Sequence, residues 1–444
     1  MSGPAPLERE QLAASMRSIA RQLFMHAISE ATVERAFERH VTSERGLLRV
    51  SEDLFDLQSY ARTIVISIGK AAHTMVRALC DQVGESLQGI IAGPLQTESQ
   101  VRGFRYFAGG HPLPNPESLR AADAMLKSLR AQSTASLVIF LLSGGGSSMV
   151  EKPVADQISL ADLTQTYRAL VHSGAPIAEV NAIRKHLSSI KGGRLAQAAH
   201  PAQQLSILVS DVPDNTPDAL ASGPTMPDST SVDDCYSIAT RYGLLANLPS
   251  SVREFFERHA LEETPKSDDP IFHRSRWWTV LSNAAAVKIV EEEAKRLDFT
   301  VEIDNSCDDW DYERTADYLL NRLRELRKKA ARVCLISGGE VTVRVSNGGT
   351  GGRNQQLVLA LARQIAGENI TVLSGGTDGI DGNSPAAGAL ADGTTLARAR
   401  AAGLDADAAL ARFDAFPFFE KLDNLLLTGP TGNNLRDLRI LLAY

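Results

Sequence analysis

SLVIFLLSGGGSS, residues 136–148, decides the fold. A run of apolar residues from Leu137 to Leu142 enters glycines and serines directly, which reads as a short strand ending in a tight turn. The same form recurs on either side. TIVISIG (63–69) precedes a helical stretch from Lys70 to Val83; QGIIAG (88–93) and FRYFAGG (104–110) follow. A helix-like segment then runs from Pro116 to Arg130, and LSILVSD (205–211) continues the series. Short apolar strands alternating with amphipathic helices predict an α/β domain with a mainly parallel sheet.

The first 45 residues read as helix, with Leu12, Met16, Ile19, Leu23 and Ile28 near helical spacing. A polar connector from about Leu261 to Ser275 leads to a second series: WWTVLSN (277–283), FTVEID (299–304), ARVCLISGGE (331–340), VTVRVS (341–346), ITVLSGGTDG (370–379) and NLLLTG (424–429). VTVRVS alternates apolar and polar residues directly after another strand, so an antiparallel pair and a mixed sheet are expected there. The reading is two α/β domains, 1–260 and a smaller 276–444, with the boundary between Tyr242 and Ser275. An apolar strand entering Ser-Gly-Gly occurs at Ser143, Ser337 and Ser374. One such turn is ordinary strand-to-helix geometry; three with polar neighbours point toward a shared ligand site beyond the strand ends.

Composition bounds the function. Of 444 residues 43% are hydrophobic and 22% charged, within the range of globular proteins, and 46 basic against 53 acidic residues give a net charge of −7. That balance argues against a nucleic-acid or anionic-membrane partner. The Leu137–Leu142 run falls far short of the ~20 apolar residues of a membrane span, and MSGPAPLERE lacks the basic start and apolar core of a signal peptide. The four cysteines, Cys80, Cys235, Cys307 and Cys334, lie far apart, so buried thiols are expected rather than disulfides or zinc. The expectation is a soluble, cytoplasmic protein.

Several constellations could carry chemistry. Ser143-Gly144-Gly145-Gly146-Ser147 suits a phosphate or carboxylate cradle, because glycine lets backbone N–H groups approach an anion; a plain turn is the competing account. It matches neither a Walker A loop nor G-x-G-x-x-G. Lys70, directly after Gly69, could neutralise a phosphoryl group or orient an acid, or be a solvated lysine of a first helical turn. NAIRKHLSSIKGGRL (181–195) gathers Arg184, Lys185, Lys191 and Arg194, either an anion pocket or a charged helix end. LVSDVPDNTPDALASGPT (208–225) offers Asp211 and Asp214 as magnesium ligands, although loop aspartates commonly cap turns, as is expected of Asp218. Arg353 and Asn354 in SNGGTGGRNQQ (346–356) could hold a carboxylate or phosphoryl oxygens. Asp378 and Asp381 lie in GGTDGIDGNSPAAGA (375–389), a substrate loop or a turn.

Together these segments resemble the glycerate 2-kinase family with a C-terminal MOFRL domain. The likeness rests on GKAA (69–72), GGHPLPNPES (109–118), LLSGGGSS (141–148), NAIRKHLSSIKGGRLA (181–196), LVSDVP (208–213), ASGPT (221–225), GGRNQ (351–355) and GTDGIDG (376–382), in family order from residue 60 onward. It implies a Rossmann-like mainly parallel α/β/α sandwich followed by a mixed-sheet domain whose MOFRL region spans about 330–440. It also implies ATP- and magnesium-dependent phosphorylation of the 2-hydroxyl of D-glycerate in a cleft between the domains.

The family's important lysine and arginine fall on Lys70 and Arg353, and its glycine loop on Ser143–Ser147; Lys191, Asn354 and Asp378 are carried as substrate or phosphate contacts. Two departures stand out: Gln356 where the family usually has Glu, and Asp214-Asn215 where SDVP is usually followed by Gly. Members are also labelled hydroxypyruvate reductase in tartrate-degradation gene clusters. An NAD(P)H-dependent reductase and a non-catalytic sugar-acid or nucleotide sensor are therefore the alternatives. No partner beyond substrate and ATP is implied, and assembly into a homo-oligomer is left open.

Overall fold

The structure is a computed structural model that describes residues 6–84, 86–94, 99–345 and 348–444. The chain divides into two compact units, Val33–Val280 and the pair of segments Met1–Thr32 and Leu281–Tyr444. The expected domains, 1–260 and 276–444, differ at both edges. Helix α1 (Pro6–Glu30) is the first reason. Its Met16, Ala20, Leu23, Phe24 and Ala27 recur on one helical face and are fully or nearly fully buried, and the sheet they pack on belongs to the far end of the chain. The helical reading of the first 45 residues also stops short: after a helix at Val33–His40, Val41–Glu44 begins a three-stranded antiparallel sheet.

The 33–280 unit is built on six strands: β1 (Arg62–Ile68), β2 (Gly89–Gly93), β3 (Phe104–Ala108), β4 (Ser136–Ser143), β5 (Gln203–Val209) and β6 (Ser275–Leu281). They lie in the order β3-β2-β1-β4-β5-β6, with every pair from β3 to β5 parallel. This is the doubly wound order, and it reverses direction between β1 and β4. All eight residues of β4 are buried. Ile64, Ile66, Ile68, Val138, Phe140 and Leu142 share a cluster with Ala121, Met125 and Leu129, while helix α2 (Ala72–Val83) packs on β1, β2 and β4. Ala121, Met125 and Leu129 belong to helix α3 (Pro116–Leu129), which starts at an Asn115–Ser118 capping box. Helix α4 (Ile177–His186) belongs to a separate helical cluster with Tyr167, Cys235, Val252 and Phe256. WWTVLSN, expected in the second domain, is the edge strand β6 of this sheet.

The other unit carries β7 (Thr300–Ile303), β8 (Val333–Gly339), β9 (Ile370–Gly376), β10 (Gly388–Asp392), β11 (Leu425–Leu426) and β12 (Asp437–Ala443), in the order β7-β8-β12-β9-β10-β11. The sheet is mixed, but not through VTVRVS. Residues 341–345 form no strand; Thr342 makes one isolated bridge to Asp311, and Ser346 lies outside the described residues. The antiparallel character comes from β12, which runs between β8 and β9 and opposes both, and from β10, which opposes β9 and β11.

Helices α5 (Asn283–Arg296), α6 (Tyr312–Arg327) and α7 (Arg353–Gln364) flank this sheet, and three short helices follow between residues 395 and 421. Leu319, Leu323, Leu357 and Leu361 cover one face, and α1 and α5 pack on the sheet as well. Two of the three Ser-Gly-Gly turns are explained here by packing. A side chain at Gly375 would meet the Phe24 ring at 3.0 Å, and one at Gly338 would meet Asn283 Oδ1 at 1.8 Å. The four cysteines are buried and free. Among the described residues no helix is long and apolar enough to cross a membrane.

Candidate active site

The point where the sheet of the 33–280 unit reverses direction is where open α/β sheets bind ligands. The loops after β1 and β4 are laced together there. Lys70 N–H donates to the Gly144 carbonyl at 2.9 Å, and Ala71 N–H donates to Ser143 Oγ at 3.0 Å. Gly69 adopts φ +120°, and a side chain on it would fall 2.3 Å from Ser143 Oγ, so only glycine allows the approach. The Ser143 hydroxyl is thus a buried staple of the two loops rather than a ligand contact.

Gly145, at φ +79°, has the Lys70 stem lying across it, with Cγ and Cε at 3.1 and 3.2 Å from the position a side chain would take. The Lys70 side chain is exposed. His111 Nδ1 reaches the same position at 3.3 Å and lies 3.3 Å from Ser148 Oγ. Burial, and then the neighbouring Lys70 charge, lower the His111 pKa, so the ring is neutral at physiological pH. Gly144 leaves room for Asp211, whose Oδ2 would lie 1.9 Å from an added Cβ. Ser147 Oγ shares a hydrogen bond with Ser222 Oγ at 2.9 Å and accepts another from Arg184 Nη2 at 3.0 Å. Lys70, His111, Arg184 and Asp211 therefore surround one glycine loop. His111 stood inside a quoted motif, GGHPLPNPES, yet nothing in that stretch announces a side chain aimed at a loop 34 residues on.

The basic run after residue 181 separates in three dimensions. Lys191, expected at an anion, is fully buried and ion-paired with the fully buried Glu151. Burial brings its pKa down to about 8 against the pull of Glu151. Lys185 binds Asp218 at 2.9 Å and Asp228 at 3.1 Å, so Asp218 is an ion-pair partner rather than a cap. Arg194 donates to the Glu262 carbonyl at 3.3 Å. Arg184 alone of the four reaches the glycine loop. Of the two expected metal ligands, Asp211 stands against that loop and Asp214 is turned to solvent. No group of three or more His, Cys, Asp or Glu side chains able to hold a metal occurs among the described residues. A magnesium ion held by one carboxylate and by nucleotide phosphates fits this donor set; an all-protein cage does not.

In the other unit Arg353 opens α7. Its Nε and Nη2 take both oxygens of Asp437, at 2.6 and 3.0 Å, and Nη2 also lies 2.8 Å from Glu340 Oε1. Asp437 begins β12 and is paired in register with Gly339 and Gly376, the last residues of β8 and β9. Glu340 follows β8 directly. Burial raises its pKa, with Asp437 pushing the same way and Arg353 opposing.

Asp381 caps α7, accepting from Asn354 N–H at 3.1 Å and Gln355 N–H at 2.9 Å; burial pushes its carboxyl up to about 6. Gly352 admits that carboxylate, since an added Cβ would fall 2.3 Å from Oδ1. Asn354, expected to contact substrate, is instead buried between Asp381 and the Ser374 hydroxyl, which donates to its Oδ1 at 2.5 Å. Gln356 donates to the Leu410 carbonyl at 2.9 Å, a bond no glutamate could make when ionised. Asp378 accepts from Ile380 N–H at 3.1 Å and lines a cavity of about 540 Å³ with Arg353, Asp381 and Asn383.

Glu340 and Asp437 were not legible as site residues. Glu340 follows the second Ser-Gly-Gly directly, which was a usable signal; Asp437 gave none, because its partners lie 84 and 97 residues earlier.

Residues 19–257 match the family described as a domain of unknown function, DUF4147, and residues 333–437 match the MOFRL family. A Thermotoga maritima protein named D-glycerate 2-kinase is 35% identical over 85% of this chain and 90% of its own length. An Agrobacterium vitis protein that is 36% identical, over 86% of this chain and 99% of its own, bears a provisional hydroxypyruvate reductase name. The crystal structure of a Thermotoga maritima glycerate kinase superposes with a TM-score of 0.84 at 31% identity, covering 97% of this chain and all of that one.

Proposed function

The chain belongs to the DUF4147–MOFRL family of glycerate kinases, and from that premise we propose that it transfers the γ-phosphoryl group of ATP to the 2-hydroxyl of D-glycerate, giving 2-phospho-D-glycerate and ADP. The observation that carries the reading is the exposed Lys70 side chain lying across Gly145 at the switch point of a doubly wound sheet. Phosphoryl transfer asks a protein mainly for positioning and charge neutralisation. Lys70 and the Gly144–Ser147 loop neutralise and orient the transferring group. Arg353 has the role of stabilising charge on the equatorial oxygens, and Asp378 lines its cavity. The 2-hydroxyl oxygen attacks phosphorus as the bond to the β,γ-bridging oxygen breaks, and ADP leaves. Glu340 accepts the hydroxyl proton; its raised pKa suits a carboxylate that must take a proton and return it to water. Asp211 is the carboxylate that would hold magnesium, which when bound supplies positive charge at the phosphates.

The reductase reading is weaker, since the first strand-to-helix turn, IGKAAH, lacks the three glycines of a dinucleotide fingerprint. The deciding test is a coupled assay with ATP, magnesium, D-glycerate, enolase and pyruvate kinase, without phosphoglycerate mutase. Signal at once identifies 2-phosphoglycerate; signal only after adding mutase overturns the regiochemistry. Silence in both with loss of NADH or NADPH on hydroxypyruvate makes the enzyme a reductase.

Two substitutions follow. Gly144→Ala places a methyl where the Asp211 carboxylate stands, and is expected to lower kcat about 100-fold with a small change in melting temperature. Glu340→Gln is expected to lower kcat by roughly 100- to 10,000-fold and to abolish the acid limb of the kcat–pH profile. In the parent enzyme that limb lies above the ordinary carboxylate range, because burial favours the protonated form and activity needs the ionised one. An unchanged acid limb in the variant would remove Glu340 from the mechanism.

A further inference from the structure

We propose that Arg184 binds the carboxylate of the hydroxy-acid substrate and that Tyr167, with the buried Glu151–Lys191 pair, holds its guanidinium in place. The inference rests on the glycerate-kinase reading and adds to it the residue that recognises the acid end of the substrate.

Arg184 sits on the last turn of α4, and its guanidinium carbon lies 4.4 Å over the Tyr167 ring. One nitrogen donates to Ser147 Oγ of the glycine loop at 3.0 Å, while Nε is buried with no hydrogen-bond partner. No carboxylate forms a salt bridge with Arg184 among the described residues, whereas Lys185 and Lys191 are each paired. An unpaired guanidinium directed at a glycine loop, with a buried donor unsatisfied, is a disfavoured arrangement unless an anion completes it.

The support behind it is unusually rigid. Tyr167 is 3% exposed and its hydroxyl donates to Glu151 Oε2 at 2.5 Å. Glu151 further accepts from Ser188 Oγ at 2.6 Å, from Lys152 N–H at 2.9 Å and from Lys191 Nζ. Every acceptor direction of that carboxylate is engaged, so the phenol cannot rotate away, and the ring fixes the plane of the guanidinium above it. A buried ion pair adds little to stability over an apolar pair of the same volume, so fixing a geometry is the better account of this one.

The two free-facing cations of the site then divide the work. A planar fork held flat matches a planar, two-oxygen carboxylate, and a mobile ammonium such as Lys70 matches a phosphoryl group that changes shape as it transfers.

The test compares parent, Arg184→Lys and Arg184→Gln. For Arg184→Gln the KM for D-glycerate is expected to rise about 10- to 100-fold with the KM for ATP unchanged, and the preference for D-glycerate over its neutral carboxamide should collapse. Arg184→Lys keeps the charge without the fork and should fall between. Tyr167→Phe, which keeps the ring but loses its tie to Glu151, should raise the KM for D-glycerate about fivefold. A rise in the KM for ATP instead would move Arg184 to the nucleotide phosphates and overturn the carboxylate assignment; an unchanged KM for D-glycerate would overturn it outright. Thermal stabilisation by D-glycerate without ATP separates this inference from the parent reading. Stabilisation of the parent but not of Arg184→Gln supports it even if no phosphoryl transfer is found, and equal stabilisation of both, or of neither, overturns it.

Discussion

Replacing Arg353 by alanine is expected to lower kcat by about three orders of magnitude, the scale of losing an arginine that stabilises charge on a transferring phosphoryl group. The geometry explains why the loss should fall on kcat. Arg353 holds both oxygens of Asp437 and one of Glu340, so its removal deletes the cation between two carboxylates and leaves Glu340 with the more distant Arg436, at 4.0 Å. The Glu340 carboxyl, already raised by burial, loses the larger of the two charges, Arg353 and Arg436, that oppose that shift. Its pKa moves further up, and the acid limb of the residual activity should move to higher pH with it. Arg353→Lys keeps a positive charge but cannot span Asp437 and Glu340 together, and should recover only about tenfold. Steady-state kinetics against pH, with circular dichroism to confirm that the fold persists, test both statements. Near-normal turnover in the alanine variant would sink the assignment.

The second large effect concerns stability. Lys191→Met is expected to destabilise the protein by about 3–5 kcal/mol, because Glu151 stays buried without its counter-charge. On the usual scaling this lowers the melting temperature by roughly 10 °C. The double variant Glu151→Gln with Lys191→Met removes the stranded charge as well, and should recover most of the loss. If Lys191 instead met substrate directly, the single variant would melt like the parent and fail only in KM. A secondary rise in the KM for D-glycerate is expected in the single variant, through the loosened hold on Tyr167.

The glycine-ended strands located the sheets because each of them is a short apolar run whose register needs no distant partner to be recognised. Ser143 pointed to a ligand site beyond a strand end for the same reason, while the reversal of strand order that singles out its loop comes only from the sheet itself. Other features depend on contacts that one-dimensional pattern does not carry. WWTVLSN was misassigned because an edge strand after a polar connector looks the same whichever sheet it joins. The alternation in VTVRVS arises because Val341 is buried and Val343 packs against the α6–α7 core from a loop, not because a ladder forms. Lys191 and Arg184 lie seven positions apart in one basic run, yet one is buried on a carboxylate and the other faces the glycine loop. Charge pattern alone cannot separate them, since a buried acid such as Glu151 decides the matter from 40 residues away.

The path of the chain between its two units bears on the order in which they can be made. Residues 33–280 form an insertion between α1 and the remaining segments of the unit that α1 completes. Synthesis delivers this insertion whole while the helix that precedes it still has nothing to dock on. The sheet that receives α1 has β12 near its centre, and β12 is the last strand to be synthesised. The nested unit can therefore fold during translation, whereas the enclosing one must wait for β12 and then close a loop of some 250 residues. Until that moment Leu23 and Phe24 have no sheet to cover them, so a nascent chain held before β12 presents an apolar helix to chaperones, and the emergence of β12 hides it.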